Sequence, residues 1–264
     1  MTDNCELITD NKKMKKILRG IIRGVGLYPF SIKLENKIVT ALQKPKQKKL
    51  YEQFIKPGSL CFDVGANVGN RTALFLELGA KVVMIEPQKE CYEALEKRFP
   101  KLPLIKKGLG EKESTEKLYV SDVSLISSFS KNHVDMMQED RFKGANWDKT
   151  IDIEMTTLDN LIKEFGIPDF CKIDVEGYEY DVLKGLSQPV KAMSIEYIVP
   201  ENKEVVLNCI KHLNKLGKIE CNLSHGETME FHLPIWKNGE EMENYVQTDD
   251  FIKTSYGDIY VRFV

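Results

Sequence analysis

The sequence predicts an α/β protein with a doubly wound, mostly parallel sheet behind an N-terminal helical extension. Three observations carry this reading. From Pro57 onward, short apolar runs alternate with helix-like stretches, the texture of a parallel sheet covered on both faces. The runs are almost continuously apolar, as in LCFDV and KVVMI, which suits strands buried on both sides. The first run leads into glycines at 65 and 69, where a strand-to-helix turn needs residues free of a Cβ.

Taken in order, residues 12–27 and 33–55 read as helices interrupted around Gly24, Gly26 and Pro29. Ile17, Ile21 and Val25 share one helical face, with lysines and arginines opposite. Residues 1–50 are therefore taken as a basic helical extension and 51–264 as the main domain. Strands are expected at 60–64, 81–85 and 104–107, with helices at 70–78 and 88–98 between them. Residues 111–150 are polar and irregular, with weak strand signals at 117–120 and 151–155. A helix at 157–165 precedes the apolar strand 170–175. Helix 179–186, strand 192–198 and helix 201–216 follow, the last ended by Gly217. Two tail strands close the chain. In the second, Ile259, Val261 and Phe263 alternate with Tyr260 and Arg262.

Composition restricts the class further. Hydrophobic residues are 42% and charged residues 30% of 264, values of a soluble globular protein. No apolar run approaches the ~18 residues that span a bilayer. The N-terminus lacks an apolar signal core. Six cysteines, at 5, 61, 91, 171, 209 and 221, form no CxxC pair, so no zinc or redox motif is read. Thiols inside apolar runs suit a reducing compartment, and the expected location is cytoplasmic. Between Lys12 and Lys49 stand twelve Lys or Arg residues and one acid, Glu35. Such a segment is either a solvated helical face or a weak contact for an anionic membrane surface or acidic partner.

Sheets of this kind bind ligands at the carboxyl ends of their strands. The first strand ends in DVGANVGN, Asp63 to Asn70, and the second in IEP, with Glu86 before Pro87. An acid at that place in a βαβ unit accepts hydrogen bonds from ribose hydroxyls. A dinucleotide site would follow Gly65 with glycines at 67 and 70; Asn67 and Asn70 stand there instead. An Asp before the turn suits a cofactor without phosphate, S-adenosylmethionine. A third run, DFCKIDVEGYEYDVLKGL, ends its strand in Asp174 and Glu176.

DVGANVGN, KIDVEG and the TTLDNL stretch at 156–161 together resemble the FkbM-type methyltransferase family, over roughly residues 55–200. The resemblance implies a Rossmann-like, seven-stranded class I methyltransferase fold, S-adenosylmethionine as cofactor, and O-methylation of a sugar, glycan or small-molecule hydroxyl. By position, Asp63, Gly65, Ala66, Asn67 and Gly69 would form the methionine-side loop. Glu86 would hold the ribose, and Gly108 and Leu109 would sit near the adenine. Asn70 and Pro87 are assigned to the same cofactor site. Asp174 and Glu176 would face the reacting methyl group. The segment after the third strand, KGLGEKES, lacks the Asn-Ala pair expected in the family, which bears on the adenine contacts.

An NAD-linked oxidoreductase and a catalytically silent adenosine-ligand-binding module share the fold. A nucleic-acid base methyltransferase would carry a proline-rich aromatic tetrapeptide where Asp-Val-Glu-Gly stands. The acid in AMSIEYIV, Glu196, lies in an otherwise apolar strand, where a buried carboxylate needs a partner or a proton. Its neighbouring strand should carry Asp174 and Glu176. These three acids are the candidate general bases, and Glu196 is alternatively a loop anchor. No metal site is assigned, although clustered carboxylates suit magnesium or calcium. Ser124, Ser127 and Ser128 line a polar pocket or merely a loop. Of His133, His212, His225 and His232, only His225 falls where an active-site loop could be. Trp147 and Trp236 read as packing anchors.

Overall fold

The computed structural model describes residues 43–120, 129, 149–226 and 228–264. The chain divides into two units, Met1–Lys46 and Gln47–Val264, and the second holds both sheets. Of the helical extension read at 1–50, residues 1–42 lie outside the described residues and 43–50 are helical; Ser124, Ser127, Ser128, His133 and Trp147 also lie outside them. Among the described residues no helix is long and apolar enough to cross a membrane.

The core of the fold is a run of parallel strands with helical crossovers. Strand β1 (Leu60–Val64) leads through helix α1 (Asn70–Glu77) to β2 (Lys81–Ile85), and α2 (Lys89–Arg98) leads to β3 (Leu104–Ile105). After β4 (Gly108–Leu109), β5 (Ser114–Val120), β6 (Lys149–Thr156) and α3 (Leu158–Phe165), the chain returns as β7 (Phe170–Ile173). Helix α4 (Glu179–Lys184) then leads to β8 (Ala192–Ile198), and α5 (Lys203–Leu216) to β9 (Ile219–His225). Last come β10 (Lys237–Asn238), α6 (Gly239–Val246), α7 (Asp249–Ile252) and β11 (Tyr256–Phe263).

The main sheet has the order β10-β9-β11-β8-β7-β1-β2-β3. β11 inserts antiparallel between β8 and β9. The main sheet therefore has eight strands where seven were expected. The extra one is β10, two residues pairing antiparallel with β9, too short to leave an apolar pattern. The weak strands of the irregular region form a separate three-stranded sheet, β4-β6-β5, packed around Leu118, Ile153 and Met155. Gly108 and Leu109 belong to this second sheet as β4.

Alternate residues of a strand face opposite sides, and the two sides of the main sheet differ. On one, Phe62, Val64, Val83, Ile85, Ile173 and Ile195 enter a single large apolar cluster with residues of α3, α4, α5 and α6. On the other, the lower half is apolar and aromatic. Tyr51 meets Phe75 and Phe170 edge-on at centroid distances of 5.1 and 5.6 Å, and Phe54 stacks on Tyr260 at 5.6 Å. The upper half of that same side is polar. Asp63, Lys172, Ser194, Tyr260 and Asn222 lie in register across five adjacent strands, all of them buried. One step nearer the carboxyl edge, Glu196, Asp258 and Ser224 are in register, with Asp174 directly after β7.

Candidate active site

The turn after β1 is held from below. The amides of Gly65 and Ala66 both donate to the Ile85 carbonyl at 3.0 Å, which ties the turn to the end of β2. Gly65 has φ 78°, Asn67 φ 50° and Gly69 φ 80°, left-handed conformations that favour glycine and asparagine. A Cβ on Gly65 would lie 1.8 Å from the Asp174 carbonyl oxygen. The glycine therefore lets the β1 turn press against the end of β7. Gly69 is the N-cap of α1 and sits against Phe99 and Leu95. Ala66 is buried, while Asn70 opens α1 at the exposed surface.

Two acids serve this turn. Asp63 is buried and accepts a hydrogen bond from the Thr72 hydroxyl at 2.5 Å. Burial raises its pKa, against the opposing hydrogen bond and the charges of Lys172 and Arg71. Glu86 bridges the two βα turns. One oxygen accepts from the Asn67 amide at 2.8 Å and the other from the Gln88 amide at 2.9 Å. Burial pushes its carboxyl up to about 7, against those two bonds. Each oxygen keeps a lone pair for a further donor. Pro87 follows, half-buried.

The end of β7 gathers the remaining acids. The Lys172 ammonium, 3% exposed, lies 2.7 Å from Asp174 and 3.7 Å from Asp258. Glu196 hydrogen-bonds Asp174 carboxyl to carboxyl. One oxygen each of Asp174, Glu176 and Glu196 fall within 4.8 Å of one another. Burial alone would raise Asp174, but Lys172, the bond with Glu196 and the charge of Arg71 carry it below the ordinary carboxylate range. Burial, then the charges of Asp174 and Glu176, lift Glu196 well above that range. Glu176 is lifted likewise, by burial and then by Asp174 and Glu179. It adopts φ 54° in the turn to α4. The Lys172 ammonium thus offsets part of the negative charge of the cluster.

The structure accordingly brings Asp63, Gly65, Asp174, Glu176 and Glu196 to one edge, with Glu86 across the turn. It keeps Gly108 and Leu109 apart from that row: Gly108 rests on Met155 and Phe129, and Leu109 enters the large apolar cluster. Sequence reasoning gave no role to Lys172, Asp258 or Glu179. The Glu179 carboxylate accepts from the amides of Val175 and Gly177 at 3.2 and 3.0 Å, so the last acid of the KIDVEGYE run fixes the turn that carries Glu176. Burial raises it to about 7. His225 lies at the end of β9 with its ring 4.9 Å from His232. Burial, and then His232, lower its pKa. His212 contacts the Leu186 carbonyl at 2.9 Å, a packing role. Trp236 packs edge-on against Phe231 at 5.0 Å.

These features suit one cofactor class. The carboxyl groups of Asp63, Asp174 and Glu196 around the turn offer acceptors and suit a cationic ligand better than a pyrophosphate. Glu86 presents acceptors for a pair of hydroxyls. The strand order, with its antiparallel β11, is that of a Rossmann-like sheet. The family model described as the methyltransferase FkbM domain matches residues 63–247, and the chain belongs to that family. No curated protein matches it. Solved structures of similar fold include an rRNA methylase from Streptococcus thermophilus, with 12% identity, 82% of this chain and 93% of that chain covered, and a TM-score of 0.40. A TehB-like SAM-dependent methyltransferase from Corynebacterium glutamicum gives 9%, 83%, 86% and 0.41. Precorrin-6y C5,15-methyltransferase from Geobacter metallireducens gives 8%, 85%, 86% and 0.41.

Proposed function

We propose that this enzyme moves a methyl group from S-adenosylmethionine to a hydroxyl of a sugar, glycan or small metabolite, with a carboxylate taking the proton. The observation that supports this most is the acid row of Asp174, Glu176 and Glu196 set against the Gly65 turn. Asp63, Gly65, Ala66, Asn67, Gly69 and Asn70 are read as the loop for the amino-acid end. Glu86 and Pro87 are read as the ribose site, and Gly108 and Leu109 as residues toward the adenine. When bound, the cofactor supplies an electrophilic methyl group on a sulfonium, a leaving group that needs no acid. The chain's own work is to align the acceptor, exclude water and remove its proton.

Glu196 is the leading base. It is partly open at the carboxyl edge, and its raised pKa suits proton transfer near neutral pH. A screen of sugars, glycans and metabolites for transfer of labelled methyl groups tests the acceptor class. With an acceptor in hand, Glu196→Gln should keep donor binding and lose roughly 10²–10⁴-fold in turnover. Full turnover with an unchanged pH profile would remove Glu196 from the chemistry. A silent binding module would bind the donor and transfer nothing.

The lysine-rich segment 12–49 is read as a docking or packing element outside the chemistry, with at most a weak contact to an acidic partner or an anionic membrane surface. The compartment is read as the cytosol. Five described cysteines, free and buried, agree with a reducing environment.

A further inference from the structure

The acid row holds a proton before any acceptor arrives. One oxygen each of Asp174, Glu176 and Glu196 falls within 4.8 Å of the others, and carboxyl groups that close cannot all stay ionised. Lys172 faces Asp174 and Glu196 from β7, Asp258 from β11 and Arg71 from α1, and Glu176 approaches from the following turn with Glu179 behind it. The two cations balance Asp174 and Asp258, burial and neighbouring negative charge keep both Glu176 and Glu196 protonated, and Glu196 holds the proton that faces Asp174. Gly65 brings the turn after β1 into contact with Asp174, so a ligand in that turn lies beside the row.

We propose that this proton makes the site sense the charge of its ligand: the positively charged methyl donor expels it, and the uncharged thioether product does not. This rests on the reading of the Asp63–Asn70 turn as the donor loop. A positive charge within about 4–6 Å favours the ionised form of a carboxyl group. Glu196 loses its proton to solvent as the donor binds and is then a base. It regains a proton from the acceptor hydroxyl as the new O–C bond forms and the S–C bond breaks. The row ends neutral beside a neutral product. Glu196 therefore determines specificity between donor and product as well as accepting the proton, and it is ionised only when the donor is in place.

The test is calorimetry of the full chain with S-adenosylmethionine and S-adenosylhomocysteine, each in two buffers of different ionisation heat. At a pH of about 6.5 the amino groups of both ligands remain protonated. Any proton released by Glu86 is common to both, since both carry the ribose, and it cancels. The donor should release about one proton more than the product. Its affinity relative to the product should rise by up to about tenfold per pH unit. Equal proton counts for two ligands that both bind would overturn the inference. If neither ligand binds, the donor-loop reading itself fails and takes the inference with it. Glu196→Gln should bind both ligands and lose the extra proton; keeping it would rule out Glu196 as its holder. Should that variant not fold, the wild-type pair of ligands decides alone.

Discussion

On one face of the main sheet, Phe62, Val64, Ile173 and Ile195 pack into a single apolar cluster. On the other face, the alternating residues of the same strands, Asp63, Lys172, Ser194 and Glu196, form a polar band above an aromatic floor. The period of two along a strand makes this division possible, because neighbouring residues share a backbone and no surroundings. The apolar face stabilises by burial. The polar band costs free energy unless each charge is matched, and the match comes from Lys172 against Asp174 and Asp258, joined in the proposed account by a proton on Glu196. Stability and chemistry are thus separable by substitution on adjacent residues.

The largest expected effect is on the apolar side. Phe62→Ala should lower stability by about 3–5 kcal/mol through lost burial and the cavity left behind. The proton difference between the two ligands should survive under conditions where the variant stays folded. Denaturant unfolding measures the first and calorimetry the second. A variant that loses the proton difference while folded would mean that the two faces are not independent.

Lys172→Met should cost about 3 kcal/mol at neutral pH, because it strands buried negative charge. Asp174 has a depressed pKa in the fold, so its contribution is present above its ordinary pKa and lost as pH falls through the folded value. The penalty should therefore shrink in acid. If unfolding shows an undiminished penalty at a pH of about 3, the lysine acts by packing and not by charge.

Glu86→Gln should weaken S-adenosylmethionine binding by roughly 1.5–3 kcal/mol, as for lost hydrogen bonds to a charged group. It should also flatten the pH dependence of stability. The folded carboxyl titrates at about 7, above its ordinary value. The native state then binds the proton more tightly than the unfolded chain. The wild type should lose stability as pH rises between those values, by up to about 1.4 kcal/mol per pH unit from this group. The variant should lose this group's share of the slope and keep the share of the other acids whose pKa is raised in the fold, Asp63, Glu176, Glu179 and Glu196. An unchanged slope would mean that Glu86 is not the strained acid.

Much of this was legible in the sequence. The β1 turn, Glu86 and the acids of β7 are local motifs, with their spacing fixed by one βα unit, and the apolar run around Glu196 marked it as a buried acid. Lys172 was hidden in plain view within KIDVEG, because a lysine inside an apolar run has no meaning until its partner is known. Its nearer partner, Asp174, stands two residues on, but its second, Asp258, comes from a strand far along the chain, and only the insertion of β11 beside β8 brings the two together. Glu179 was unreadable for the opposite reason. Its partners are backbone amides two and four residues away, and these leave no side-chain pattern. β10 has two residues, below the length at which alternation can be read.

The central claim is that the donor sits at the carboxyl edge on the polar face, in the turn between Asp63 and the acids of β7. The most direct measurement is a spectrum of the chain labelled with ¹⁵N at glycine, recorded with and without S-adenosylmethionine. Gly65, Gly69 and Gly177 should shift on binding, and Gly166, Gly217 and Gly239 should hold their positions. Saturable binding that moves the second set and leaves Gly65 and Gly69 unmoved would contradict the claim.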